Sequence, residues 1–246
     1  MMLIAFFRSS KIAFKKNVVL KFRDFYNSHK TSSYNIVSLG PSCYPKTILT
    51  RWKLKKTKAV GELTLPFDLA WVHEARFITQ FIENDFSDFF KDLRYIKEIK
   101  SWDNFGMVNF SHETNFGPED RDLLVEKYSK RINNFKDIIS NKKPILFVQF
   151  LKNSGVGEDV ENLYRVLNNI RGNKPFELLV IDAKNIVNTE NKDINILKVQ
   201  LDEQDPNLYD PAFYRSEEGL AFEKNIIDEC KSIIKKKLKC RLTKFL

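Results

Sequence analysis

The chain has 246 residues, 43% of them hydrophobic and 30% charged, with 21 Phe; that is enough apolar material for a sizeable core and excludes disordered, collagen-like and low-complexity classes. No apolar run reaches the roughly 18 residues of a membrane-spanning helix. The net charge of +9 sits at the ends: residues 1–34 carry +6, residues 231–246 carry +7, and the body between them carries −4. A nucleic-acid enzyme spreads positive charge around its cleft, so no nucleic-acid partner is expected. The three cysteines, at 43, 230 and 240, form no CxxC pair, which argues against a disulfide framework or structural zinc and suits a reducing compartment.

Residues 1–34 mix Phe, Leu and Val with Lys and Arg. The apolar stretch before Arg8 is too short for a secretion signal. NIVSLG (35–40) predicts a buried strand bounded by Gly40-Pro41, with a helix at about 44–54. GELTLPFDLAW (61–71) reads as irregular or extended, broken at Pro66, before a helix over about 73–84. RYIKEIKSW alternates well enough for an edge strand, and GMVNFSH (106–112) is a second strand. PEDRDLLVEKYSKRINNFKDIIS opens with Pro and acids in its first turn and places Leu124, Tyr128, Ile132 and Phe135 on one face, a clear helix. PILFVQF (144–150), FELLVID (176–182) and INILKVQL (194–201) are nearly continuous apolar runs, as in strands covered on both faces. The helix GEDVENLYRVLNNIRG separates the first two. Residues 216–246 place Ile226, Ile227, Cys230, Ile233, Ile234, Leu238, Leu242 and Phe245 on a helical stripe opposite Lys235, Lys236, Lys237 and Lys239.

Strands alternating with helices imply βαβ units. The expected architecture is α/β, a three-layer, mostly parallel sheet of Rossmann or flavodoxin-like type over residues 35–215, flanked by basic amphipathic segments at 1–34 and 216–246. Those end segments have two uses: interfacial helices on an anionic membrane leaflet, or surface helices whose apolar stripes pack on the core.

In an open parallel sheet, ligands bind beyond the carboxyl ends of the strands. Cys43, His112 and Asp182 lie at or just beyond such ends. Cys43, in Gly40-Pro41-Ser42-Cys43, stands before a helix N-terminus, where dipole and free N–H groups favour thiolate and where backbone around Gly40 and Ser42 can serve an oxyanion. It is a nucleophile or a small buried side chain filling space under the turn. His112 is the best-placed base of three histidines, or a strand-end ring that is merely hydrogen-bonded. Asp182 orients that imidazole or caps the next segment; Asp68, in Pro66-Phe67-Asp68, is an alternative orienting carboxylate or a turn former. No GxGxxG, GxxxxGK[ST], HExxH, GxSxG or zinc-ligand spacing occurs, so no metal or redox cofactor is expected.

SLGPSCYPKTILTRWKL, then TLPFDLAWV, then FSHE, then a helix containing KYSKRINNF resemble a bacterial family of unknown function labelled papain-like cysteine peptidases. Its pattern is a strand ending in S-L-G-x-x-C, then P-F-D-W, a Phe-led His, and a K-Y-x-x-R-I-x-x-F helix. The likeness runs from about Asn35 to Phe150 and more loosely to about Leu201. Leu69-Ala70-Trp71 departs from it, since the family puts Trp directly after the Asp. The resemblance implies Cys43 as nucleophile with His112 as its partner, hence a thiol-dependent hydrolase or acyl transferase on a small-molecule, glycan or acyl substrate. Family members accompany surface-polysaccharide genes, which implies a cytoplasmic protein at the inner face of the membrane. A papain-like enzyme carries its His on an antiparallel sheet, whereas the periodicity here reads as alternating β and α. The alternatives are a non-catalytic scaffold of a membrane-associated glycan-assembly complex and a metal-independent glycosyltransferase-like enzyme.

Overall fold

The computed structural model describes residues 33–55, 61–151, 157–199 and 207–242, with side chains to residue 236. In chain order the described elements are β1 (Asn35–Leu39), α1 (Tyr44–Arg51), a 3-10 turn (Pro66–Asp68), β2 (Trp71–Val72), α2 (Ala75–Glu83), β3 (Leu93–Ile96), β4 (Ser101–Asn104), β5 (Val108–Asn109), α3 (Arg121–Ser140), β6 (Ile145–Leu151), α4 (Gly157–Arg171), β7 (Phe176–Asp182), β8 (Ile194–Lys198), α5 (Pro211–Arg215) and α6 (Glu217–Leu242).

Four strands form a parallel sheet in the order β1-β6-β7-β8, with Asn35 opposite Ile145, Leu146 opposite Glu177 and Leu178 opposite Ile194. All seven residues of β6 are buried, because both faces of the strand are covered. On one face Val37, Leu39, Ile145, Phe147 and Val180 pack with side chains of α2, α3 and α4. On the other, Ile36, Leu146, Val148, Phe150 and Ile181 pack with α1 and α6.

The mixed α/β class with a parallel sheet is as expected. The Rossmann or flavodoxin winding is not what the strands show. The order never reverses among the described strands, so there is no point in the sheet where two crossovers diverge to open a crevice. The connection from β1 to β6 is also far longer than a crossover helix and carries a second sheet. That sheet is antiparallel, in the order β2-β5-β4-β3. RYIKEIKSW, read as one edge strand, is a hairpin: Leu93 to Ile96 pair with Asn104 to Ser101. Within GMVNFSH the strand proper covers only Val108 and Asn109. Gly106, at φ +79°, closes the preceding turn, and a turn from Phe110 to Glu113 stops the strand on its other side, the Glu113 N–H donating to Phe110 O at 2.9 Å.

The two sheets meet where Val72 N–H donates to Pro41 O at 2.7 Å. This joins the antiparallel sheet to the turn that follows β1. Buried Arg171, at the end of α4, donates to the carbonyls of Asn141, Lys143 and Pro175 at 2.7, 3.1 and 3.0 Å. One guanidinium thus ties the approaches to β6 and β7 and satisfies carbonyls that burial would otherwise leave orphaned.

The apolar stripe of α6 is used by the core as far as Ile234: Phe222, Ile226, Ile227, Cys230, Ile233 and Ile234 are all buried in the second cluster, and the side chains of Leu238, Leu242 and Phe245 lie outside the described residues. The buried acid of α6, Glu223, accepts from Trp52 Nε1 at 2.6 Å and pairs with Arg51, which anchors α6 on α1. Residues 1–32 lie outside the described residues. Among the described residues no helix is long and apolar enough to cross a membrane.

Candidate active site

The turn 40–43 leaves the carboxyl end of β1 and delivers Cys43 to the N-cap of α1, with Pro45 in the first turn. Proline there costs no hydrogen bond, because the first N–H groups of a helix have no partner within it. The backbone of Cys43 is fixed from the helix side: its carbonyl accepts from Thr47 N at 3.0 Å and Thr47 Oγ1 at 2.9 Å. Gly40 is closely packed: a Cβ there would stand 3.1 Å from Ile78 Cδ1 on α2, and that side chain would have to give by a few tenths of an ångström. The Gly40 carbonyl accepts from Phe150 N at 3.4 Å. Ser42 Oγ accepts from Tyr44 N, also at 3.4 Å. These two residues shape the turn around the sulfur.

His112 arrives from the other sheet. Phe110, fully buried, extends β5 by one rung through Phe110 N to Trp102 O at 2.9 Å, and the turn that follows projects the imidazole back over the Cys43 turn. Nε2 lies 3.2 Å from Cys43 Sγ. A site made of one residue from the parallel sheet's edge and one from the antiparallel sheet explains the two expectations that had conflicted. The periodicity of β1, β6, β7 and β8 is that of a parallel sheet, and the His nevertheless follows an antiparallel one.

The pair polarises both members. Burial pushes the Cys43 thiol up, but the hydrogen bonds of His112 and Tyr209, the imidazolium charge and the Thr47 hydroxyl outweigh it, and the thiol titrates below an ordinary cysteine. The hydrogen bond to Cys43 raises the His112 ring above an ordinary imidazole, against partial burial, with the negative charges of the sulfur and Glu113 adding to the rise. The two shifts have the signs of a thiolate–imidazolium pair.

No hydrogen bond joins Asp182 or Asp68 to His112 among the described residues. The Asp182 carboxylate accepts from the backbone N–H groups of Lys184, Ile186 and Val187 at 3.3, 3.1 and 2.8 Å, so it caps the segment after β7. Asp68 is buried, with Lys55 Nζ at 2.8 and 3.0 Å, Ser38 Oγ at 2.5 Å and Leu65 N at 2.9 Å. It holds the 3-10 turn to β1, two residues ahead of Gly40. His73 pairs with Asp103 at 3.2 Å on an exposed surface.

Two parts of the site were not anticipated. The first is the carboxylate next to His112. Glu113 is buried and held between Arg131 Nη1, at 2.8 Å, and Lys127 Nζ. The two cations stand one turn apart on α3 and are braced by rings, Arg131 over Tyr128 at 4.2 Å and Lys127 over Phe116 at 4.9 Å. Burial raises the Glu113 carboxyl, and the bonds and charges of Lys127 and Arg131 more than reverse that. The FSHE and KYSKR segments are thus two halves of one clamp on the His-bearing turn. The i, i+4 spacing of Lys127 and Arg131 was the available signal.

The second is Tyr209, whose Oη lies 3.6 Å from Cys43 Sγ. It sits in a polar stretch between Pro206 and Pro211 with no periodicity to mark it. Its own hydroxyl is held well above the ordinary tyrosine range, first by burial and also by the sulfur's charge. Among the described residues, no group of three His, Cys, Asp or Glu side chains stands close enough to hold a metal ion.

No curated protein and no solved structure matches the chain. A family model does, over residues 34–185, more than half of the chain and the stretch that carries both Cys43 and His112. The chain belongs to the family described as "Putative papain-like cysteine peptidase".

Proposed function

We propose that the protein is a cysteine-nucleophile enzyme of acyl compounds, a hydrolase when water is the acceptor and a transferase when another nucleophile is. The observation that carries this reading is the 3.2 Å approach of His112 Nε2 to a sulfur seated at a helix N-cap. Nucleophile and base within hydrogen-bond reach is the geometry that thiol catalysis needs.

In the resting pair the Nε2–H donates to the Cys43 thiolate. The sulfur lone pair attacks the substrate carbonyl carbon, an S–C bond forms, and the C=O pair moves onto oxygen. When the oxyanion collapses, the leaving group departs with the proton from His112 Nε2. Neutral His112 then takes a proton from the incoming acceptor, whose attack on the thioester releases the acyl product and restores the thiolate. In this reading Glu113, held by Lys127 and Arg131, positions the His-bearing turn, and Asp68 and Asp182 serve the loops around the site.

The test uses p-nitrophenyl acetate on the full chain, with the acetyl group located by peptide mass spectrometry and p-nitrophenolate followed by absorbance. The expected result is an acetyl group on Cys43 that turns over, is lost in Cys43→Ser, and forms about 10²-fold or more slowly in His112→Ala. Acetylation no faster at Cys43 than at surface nucleophiles overturns the proposal. The protein would then act as a binding module, with Cys43 a packing residue.

A further inference from the structure

The turn before a helix N-terminus offers free backbone N–H groups, and an oxyanion site built on Ser42 and Cys43 would use them directly. The structure puts something else there. Tyr209 Oη lies 3.6 Å from Cys43 Sγ, while the Tyr44 N–H is taken by Ser42 Oγ at 3.4 Å. The Tyr209 ring is held edge-on to Tyr44, centroids 5.8 Å apart, on a short turn closed by Asn207 Oδ1, which accepts from Tyr209 N at 3.1 Å. The phenol has its own hydrogen to give, and the Cys43 thiolate is the acceptor in reach.

We propose that Tyr209 is a further catalytic residue: its hydroxyl donates first to the Cys43 thiolate and then to the oxyanion of an acyl substrate. This rests on the thiol-acyl reading above and deepens it. As the S–C bond forms, the sulfur loses its charge and ceases to be a good acceptor. The new negative charge appears on an oxygen two bonds from the sulfur. That oxygen stands closer to the sulfur than Oη does, so the same O–H can swing onto it. Raised by burial and by the charge of Cys43, the phenol stays protonated at neutral pH and remains a donor. The substrate this device favours has a carbonyl group, since only acyl transfer builds an oxyanion at that position.

The difference between two reactions at one sulfur tests this. Iodoacetamide alkylates a thiolate by displacement and makes no oxyanion; p-nitrophenyl acetate makes one. Both are run against pH on the wild type and Tyr209→Phe, with folding checked by circular dichroism. In Tyr209→Phe the midpoint for alkylation rises toward that of a free thiol. On the alkaline plateau alkylation stays within about threefold of wild type, while acetylation falls by about 10²-fold, the loss typical of one oxyanion donor. Plateaus that fall in parallel make Tyr209 a structural prop and overturn the proposal. So does an acetylation plateau equal to wild type. A wild-type Cys43 that alkylates at a depressed midpoint yet takes no acetyl group overturns the thiol-acyl reading and this proposal with it.

Discussion

Cys43 and Cys230 are both buried, 8% and 0% exposed, and only their neighbours distinguish them. Cys230 lies in the stripe of α6 among Ile226, Ile227, Ile233 and Ile234, and burial pushes its thiol up to about 12. Cys43 is also desolvated, but His112 and Tyr209 stand in hydrogen-bond contact with its sulfur and the net effect is downward. Burial alone makes a thiol inert. Burial beside a histidine from another sheet makes it a candidate nucleophile.

The change that most nearly erases this contrast is His112→Ala. Cys43 then keeps its desolvation and loses its first partner, so its midpoint for alkylation moves up, and acetylation falls by about 10²- to 10⁴-fold. The signs follow from the two shifts. The thiol is depressed when folded, so the stability linked to the thiolate is present above the roughly 8.5 of a free thiol and is lost as pH falls through the folded value. The imidazole is raised, so its contribution is complete below roughly 6.5 and is lost as pH rises through its folded value. Titration of urea stability in wild type against His112→Ala checks both limbs.

Asp68→Asn tests the scaffold under the turn. It leaves Lys55 buried without its carboxylate, which costs about 3–5 kcal/mol in denaturant unfolding. At temperatures where the variant is folded, the Cys43 midpoint stays within a few tenths of a unit of wild type, because Asp68 contacts neither sulfur nor imidazole. A large shift of that midpoint would place Asp68 in the catalytic set after all.

Arg131→Met loosens the clamp. Lys127 still faces Glu113, so the loss of stability is smaller, about 1–3 kcal/mol. Acetylation falls about tenfold as the His112 turn loses its position. Stopped-flow acetylation beside thermal unfolding separates this from a purely structural effect. Cys230→Ser is the mildest change: a hydroxyl enters an apolar site at a cost of about 1–3 kcal/mol, with no change in the pH profile of Cys43.

The parallel sheet was legible because β1, β6 and β7 are covered on both faces and read as uninterrupted apolar runs. The antiparallel sheet was not, since its strands are short and its hairpin turn at residues 97–100 falls inside one alternating segment. Cys43 and His112 could be picked out because each ends a strand-like run, and the family resemblance linked them. Their meeting depends on a contact between sheets, Val72 N to Pro41 O, that no local pattern encodes. Asp182 offered two uses, and the three N–H groups around it show the cap. Tyr209 was invisible for the same reason that His112's distance was: chain closure brings a polar, aperiodic segment to a sulfur 166 positions away. The C-terminal stripe was correctly seen as amphipathic, and what it packs against through Ile234 is the sheet.

The central claim is that Cys43 and His112 form a thiolate–imidazolium pair. The most direct measurement is the pH dependence of iodoacetamide alkylation at each cysteine of the native protein, resolved by peptide mass spectrometry, in wild type and His112→Ala. The account predicts that Cys43 reacts well below pH 8, that Cys230 stays unmodified up to pH 9, and that the acid-side reactivity of Cys43 disappears with the imidazole. A Cys43 that titrates like a free thiol, unchanged by loss of His112, would contradict it.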